Sequence, residues 1–265
     1  MIEIAVKGTK VPALGFGTWA LSGRACYEAV RTALALGYRH IDTADMYGNE
    51  AEVGRAIRES GVPRDSIFLT TKVPPGKLRA RDAKRCAEES LRRLGLDQVD
   101  LLLIHWPNSA VPLRETLDAF AELRAAGRTR FIGVSNFSAK LLREAVEEVG
   151  ADLLCNQVEY HPYLSQRAVL AAARAYRMMV TAYSPVAKGR VARDAALAAI
   201  GRKYGKSAVQ VALRWLIEQP GVAPIPKAAP RDHITANIDI FDFALTAEDH
   251  ATIAAIADDR RGDPA

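Results

Sequence analysis

An α/β fold, a (β/α)8 barrel of the TIM type with an N-terminal β-hairpin and an extra C-terminal helix, is predicted by three features of this 265-residue chain. Eight short apolar runs recur along it, helix-period segments separate them, and the length matches the roughly 250 residues such a barrel needs. The runs are continuous rather than alternating, as expected of strands covered on both faces. A doubly wound open sheet shares this order of elements. It is disfavoured because no run leads into a Gly-x-Gly-x-x-Gly turn.

The opening segment, Ile4 to Pro12, reads as a small hairpin turning at Gly8 that could plug the N-terminal mouth of the barrel. The strands follow at Ala13–Thr18, Arg39–Asp42, Ile67–Lys72, Val99–Ile104, Arg130–Val134, Leu153–Val158, Met178–Tyr183 and Val222–Pro226. One helix begins near Asn49, an N-cap residue with Glu52 three places on, and stops at Gly61. Others cover about Arg81–Leu94, ended by Gly95, and Leu113–Ala126, ended by Gly127. Two lie between the seventh and eighth strands, about Ala192–Tyr204 and Ser207–Glu218, parted by Gly205 and with Ser207 capping the second. A last amphipathic helix, near Ala247–Ala257, follows Thr246 as its cap. With no linker, repeat or low-complexity tract, residues 1–265 are expected to form one domain.

Composition narrows the function classes. At 49% hydrophobic and 25% charged, the chain suits a globular protein with a sizeable core and is too apolar for disorder. No apolar run approaches the roughly 20 residues of a membrane helix. Residues 1–7 show no long apolar signal region. The three cysteines, Cys26, Cys86 and Cys155, are scattered, with no metal-ligand spacing. A reducing cytoplasm is therefore expected, with each cysteine a small buried residue rather than a nucleophile. A net charge of +5 without polybasic runs gives little support to nucleic-acid binding. It does suit an anionic cofactor. No long apolar surface stripe demands assembly, so a monomer is expected.

In a barrel of this kind the active site lies at the C-terminal ends of the strands. Three consecutive strands there deliver Asp42, Lys72 and His105, and Tyr47 follows five positions after Asp42. A phenol has a pKa near 10 in water, so it is a poor acid at neutral pH unless a nearby ammonium favours the phenolate. Lys72 can supply that ammonium, Asp42 can hold it charged, and His105 can orient a substrate oxygen. Taken singly, these residues are more often a loop cap, a solvated chain end and a hydrogen-bonded interior histidine. Their grouping at matching strand ends shifts the balance towards a site.

Gly37-Tyr38-Arg39-His40-Ile41-Asp42-Thr43-Ala44, with Tyr47-Gly48-Asn49-Glu50, resembles the signature of the aldo-keto reductases. The resemblance continues in order through Gly15-Phe16-Gly17-Thr18-Trp19, Thr70-Thr71-Lys72-Val73, His105-Trp106-Pro107 and Gly133-Val134-Ser135-Asn136-Phe137. It then takes in Asn156 to Pro162, Tyr183-Ser184-Pro185 and Ile225-Pro226-Lys227, and so covers nearly the whole chain. It is strongest towards the short bacterial 2,5-diketogluconate and methylglyoxal reductases. It implies reduction of small or polar aldehydes and ketones, with Tyr47 as general acid, Lys72 and Asp42 assisting, and His105 placing the carbonyl.

The same resemblance implies NADPH bound in an extended pose over the barrel mouth. Ser135, Asn136 and Gln157 match the positions that hold the nicotinamide carboxamide, a group with one acceptor and two donors. Tyr183 matches the aromatic under the nicotinamide ring. Gly17, Thr18 and Asp42 lie in matching segments at the mouth. Ser184, Pro185 and Val186 begin the loop over the pyrophosphate, and Lys188 is a candidate phosphate contact. At the adenosine end Ile225, Lys227 and Asn237 are kept and Arg231 lies near. Ala228, His233 and Ala236 stand where the family usually has serine, arginine and glutamate. Lost charge and hydroxyl at the 2′-phosphate imply a weaker preference for NADPH over NADH, so NADH is expected to be accepted as well.

Trp19 and Trp106 flank the expected mouth as apolar walls, with barrel-rim packing as the plainer reading. The connections after His105 and Tyr183 look short and little chain follows the last helix, which predicts an open, shallow pocket. Three other functions compete with the reductase. A nucleotide-binding regulatory subunit on the same barrel would need partner-binding extensions that are not visible. A Schiff-base lyase using Lys72 leaves Tyr47, Ser135, Asn136 and Gln157 unexplained. Metal-dependent hydrolysis lacks ligand spacing among the five histidines and the carboxylates.

Overall fold

The computed structural model describes residues 2–257. Strands β1 (Glu3–Val6) and β2 (Thr9–Pro12) form an antiparallel hairpin. Its two turn residues, Lys7 and Gly8, both have positive φ, the geometry that matches the twist of a two-residue hairpin. Strand and helix then alternate: β3 (Phe16–Gly17), α1 (Gly23–Ala35), β4 (His40–Asp42), α2 (Glu50–Arg58), β5 (Phe68–Val73), α3 (Ala80–Leu94), β6 (Val99–Ile104) and α4 (Leu113–Ala125). The series continues with β7 (Thr129–Ser135), α5 (Ala139–Arg143), β8 (Leu153–Glu159), α6 (Arg167–Ala175), β9 (Met179–Tyr183), α7 (Ala195–Tyr204), α8 (Ala208–Ile217) and β10 (Val222–Pro224). Helices α9 (Arg231–Ile238) and α10 (Ala247–Ala254) complete it.

Strands β3 to β10 make one eight-stranded parallel sheet in chain order. Every neighbour is the next strand, so each crossover runs through a helix. The sheet curls until its two ends meet. The amides of Gly15 and Gly17 donate to the carbonyls of Pro224 (2.9 Å) and Pro226 (3.1 Å). A side chain at Gly17 would bring Cβ within 2.8 Å of the Ile225 carbonyl, so this approach requires glycine. The same contacts explain why β3 is shorter than the apolar run Ala13–Thr18. Part of that run bonds outside the parallel ladder, with Ala13 reaching back to Ile2.

All residues of β5 and β6 are buried, including the polar Thr70, Thr71, Lys72 and Asp100, and the last three find side-chain partners inside the protein. Alternate side chains face two cores. Leu101 and Leu103 join Phe68, Leu154, Met179 and Ala223, and Val6 and Val11 of the hairpin cover this cluster. Leu102 instead packs towards the helices with Leu69, Val53, Leu91 and Phe120. Each fully buried leucine contributes about 1.5–3 kcal/mol.

Local expectations differ from the structure in three places. Asn49 stands at the N-cap of α2 but makes no capping bond, so no capping box forms with Glu52. Helix α7 starts at Ala195 rather than near Ala192, because Asp194 accepts bonds from the amides of Ala196 and Leu197 and fixes the start there. The connection after Tyr183 therefore runs over residues 184–194 and contains a 3-10 segment, Ala187–Arg193, so it is longer than expected. With Tyr163 it borders a recess of about 460 Å³. Gly95 and Gly205 end α3 and α7 in the left-handed conformation, as expected. Ser207 with Gln210 and Thr246 with Asp249 form capping boxes on α8 and α10.

Candidate active site

The carboxyl ends of successive strands gather the polar groups. Asp42 ends β4, Lys72 is the penultimate residue of β5, and His105 directly follows β6. Ser135 ends β7, Gln157 lies in β8 and Tyr183 ends β9. Tyr47 is carried on a single 3-10 turn, Asp45–Tyr47, between extended Ala44 and left-handed Gly48.

Lys72 has no exposed side-chain surface. Its ammonium donates to Asp42 Oδ1 (2.5 Å), to the Thr43 carbonyl (2.9 Å) and to the Tyr47 hydroxyl (3.3 Å). All three of its donors are thus used inside the protein. Asp42 Oδ2 accepts from Gln157 Nε2 (2.7 Å), and Thr18 Oγ1 donates to the Asp42 carbonyl (2.9 Å). The Tyr47 and His105 rings meet edge to face with centroids 5.7 Å apart. The four residues expected to act together are therefore together.

Electrostatics qualify the expectation for Tyr47. Burial raises its pKa and Asp42 adds to the rise, while Lys72 pulls the other way; the net direction is upward. The ammonium offsets the cost of burying a phenolate rather than making the phenol more acidic than in water. Burial also works against the charge on Lys72, but Asp42 and then Tyr47 outweigh it and hold its pKa above the ordinary value. Burial, then the Lys72 charge, push His105 down to about 4, so its imidazole is neutral at physiological pH. Its Nδ1 is buried without a partner among the described residues. The three cysteines are buried, and burial pushes each thiol up to about 12, which removes them as nucleophiles.

Beside this group, Ser135 Oγ donates to the Gln157 carbonyl (2.9 Å). Asn136, with a positive φ of 62°, donates to the His105 carbonyl and to Ser135 Oγ (both 3.0 Å). The Tyr183 hydroxyl donates to Asn136 Oδ1 (2.9 Å). Ser184 has a φ of 49° and Lys188 one of 53°. Pro185 is buried, Val186 is half-buried and Lys188 is exposed. Gly17 and Thr18 are buried in the first strand segment. Farther along, Ile225, Ala228 and Asn237 are buried, whereas Lys227, Arg231 and His233 are exposed. The mouth carries Trp19 and Trp106, 56% and 46% exposed, and Met46, 61% exposed.

Sequence reasoning missed Met46, Asp45 and the buried polar groups behind the tyrosine turn. Asn49 donates to the carbonyls of Thr18 and Leu21 and accepts from Thr43 Oγ1, tying this turn to the first strand segment. Glu50 accepts from Thr71 Oγ1. Asn49 and Glu50 lie in a segment whose match to a family signature could have flagged them. Asp45 carried no such signal.

A parallel α/β fold with a phenol, a charged amine and a neutral imidazole gathered at its strand ends is the equipment of an oxidoreductase that protonates a carbonyl as it is reduced. The sequence profile of the aldo/keto reductase family matches residues 13–258, and the chain belongs to that family. Methylglyoxal reductase DkgB of Salmonella typhi is 41% identical over 249 residues, 93% of each chain. Among solved structures, a putative 2,5-diketo-D-gluconic acid reductase B superposes with a TM-score of 0.95 at 47% identity, covering 97% of this chain and 92% of that one. A Bombyx mori aldo-keto reductase in complex with NADP superposes at 0.89 with 34% identity, over 97% and 92% of the two chains.

Proposed function

We propose that this protein is one closed (β/α)8 domain spanning residues 1–265. It acts as a monomer in the cytoplasm, reducing small or polar aldehydes and ketones, of the methylglyoxal or diketogluconate type, to alcohols with NADPH. The observation that carries the reading is the Lys72 ammonium, buried between Asp42 and the Tyr47 hydroxyl. Bound NADPH would supply the hydride. Tyr47 gives its proton to the carbonyl oxygen as negative charge develops there, and Lys72 stabilises the phenolate left behind. Asp42 keeps Lys72 charged and in place. His105, held neutral, orients the substrate oxygen. Trp19, Trp106 and Met46 form an exposed apolar rim around a polar floor, which suits small substrates held loosely.

The polar set fits the cofactor. Ser135, Asn136 and Gln157 offer donors and acceptors for a carboxamide, and the half-buried Tyr183 ring offers a stacking face. Asn136 Oδ1 already accepts the Tyr183 hydroxyl, so a carboxamide docked there would share or displace that bond. Gly17, Thr18 and Asp42 would flank the nicotinamide end. Ser184, Pro185, Val186 and Lys188 would face the pyrophosphate, with Ile225, Lys227, Ala228, Arg231, His233 and Asn237 towards the adenosine. Lys227 and Arg231 are the cations there, and His233 brings no permanent charge, so discrimination between NADPH and NADH should be modest.

A panel of aldehydes and ketones, followed by loss of nicotinamide absorbance with each cofactor, tests both points. Turnover of small dicarbonyls is expected, with kcat/KM for NADPH exceeding that for NADH by less than about 10³, a ratio equivalent to roughly 4 kcal/mol. No turnover with any carbonyl overturns the function, and a larger ratio overturns the cofactor reading.

A further inference from the structure

The Tyr47 turn is a single 3-10 turn on the outer lip of the site, too short to hold a phenol in register by its own hydrogen bonds. Asn49 anchors one side of it to the first strand segment, and on the other side a charged cluster in the neighbouring strand–helix unit grips it from outside. Arg93, in the last turn of α3, donates from its NH2 to Asp45 Oδ1 (2.6 Å), two residues before Tyr47. The same guanidinium donates from Nε to Glu50 Oε2 (2.8 Å). Glu50, with 1% of its side chain exposed, accepts on its other oxygen from Thr71 Oγ1 (2.5 Å), and Thr71 is the residue before Lys72. Lys77 closes the cluster by donating to Asp45 Oδ2 (2.9 Å). One rigid fork therefore grips the turn that carries Tyr47 and, through Glu50, the strand that carries Lys72. Two carboxylates face two cations, so the cluster is neutral, and the buried Glu50 depends on its partner.

We propose that Arg93 is a positioning residue that sets the separation between the Tyr47 hydroxyl and the Lys72 ammonium from the outer helix layer, through Asp45 on one arm and Glu50 on the other. This rests on the reading of Tyr47 as proton donor. Lysine could replace the charge of Arg93 but not its planar fork, which reaches two acids at once. Without the fork, the tyrosine turn and the lysine strand lose their tie through the outer helix layer and are joined only by the inner bonds of Lys72 and Thr43. The charged or titratable groups facing Tyr47 would remain Lys72, Asp42, His105 and Tyr183, with Asp45 now held by Lys77 alone.

The test compares Arg93→Gln and Arg93→Lys with the parent protein, reading kcat for a small dicarbonyl across pH, the NADPH dissociation constant by fluorescence, and melting temperature. Arg64→Gln is the structural control, since Arg64 binds Asp100 and the Gln98 carbonyl at the amino ends of the strands. Both Arg93 variants should lose about tenfold or more in kcat, with NADPH affinity within about twofold of the parent. The alkaline limb of kcat should move to higher pH in both, because the phenol is farther from its ammonium. Arg64→Gln should lower the melting temperature without moving that limb. If Arg93→Gln does not fold, Asp45→Asn, which keeps the turn and removes one arm, should show a smaller loss of the same kind. Parent-like kcat and alkaline limb in the variants overturn the proposal, as does full rescue by lysine. A Tyr47→Phe protein with parent activity would overturn the underlying reading instead.

Discussion

Lys72 shows what a single residue can be made to do by its surroundings. It sits in the sheet with no exposed side-chain surface, where an unpaired ammonium would be unsustainable, and three bonds hold it charged. Because Asp42 is equally hidden, removing one partner strands the other. Lys72→Met is therefore expected to lower folding stability by about 3–5 kcal/mol in urea titration as well as abolish turnover. The double variant Lys72→Met with Asp42→Asn should recover part of that stability, because no charge is left unpaired. Equal stabilities for the single variant and the parent would mean that the pair is solvated in solution. His105 complements the lysine: neutral over the physiological range, it can hydrogen-bond a carbonyl without adding a second positive charge beside Lys72.

Elements place these residues through close backbone approaches as much as through side-chain packing. Helix α2 follows the tyrosine turn and crosses the C-terminal end of α3, where Arg58 donates to the Leu94 carbonyl. A Cβ at Gly54 would fall inside the contact distance of that same carbonyl, so the crossing exists only because residue 54 is glycine. Gly54→Ala should force the helices apart and cost about 1–3 kcal/mol or more, read as a drop in the urea midpoint. It should also reduce kcat, since α2 carries Glu50 and α3 carries Arg93. An unchanged midpoint would show that the two helices separate freely. Elements were legible in the sequence where their ends carried chemistry. Gly95, Gly205, Ser207 and Thr246 delimit α3, α7, α8 and α10. Helices α1, α6 and α9 were not delimited, and their N-caps Ser22, Gln166 and Pro230 make no side-chain cap. Helix α5 has only five residues before it widens into a π-helical turn, too short for a period to register.

At the scale of the whole molecule, the eight parallel strands were readable as short, mainly apolar segments between helices, and Asp42, Lys72 and His105 because each lies at or next to the end of one. The supports behind them were not. Asn49 reads as a helix cap, yet its side chain turns inward to Thr18 and Leu21, a partnership 31 and 28 residues distant that no local pattern signals. Asp45 and Arg93 meet across 48 residues for the same reason. The sign of the Tyr47 shift was also out of reach, because it depends on how deeply the fold buries the phenol. The curled sheet joins these distant pieces so that one hydroxyl stands 3.3 Å from one ammonium. The most direct test of that arrangement is Tyr47→Phe, assayed for NADPH-dependent reduction of a small dicarbonyl alongside NADPH affinity. A loss of about 10²-fold or more in kcat with cofactor affinity intact is the predicted result. A phenylalanine variant that turns over at the parent rate would contradict the account.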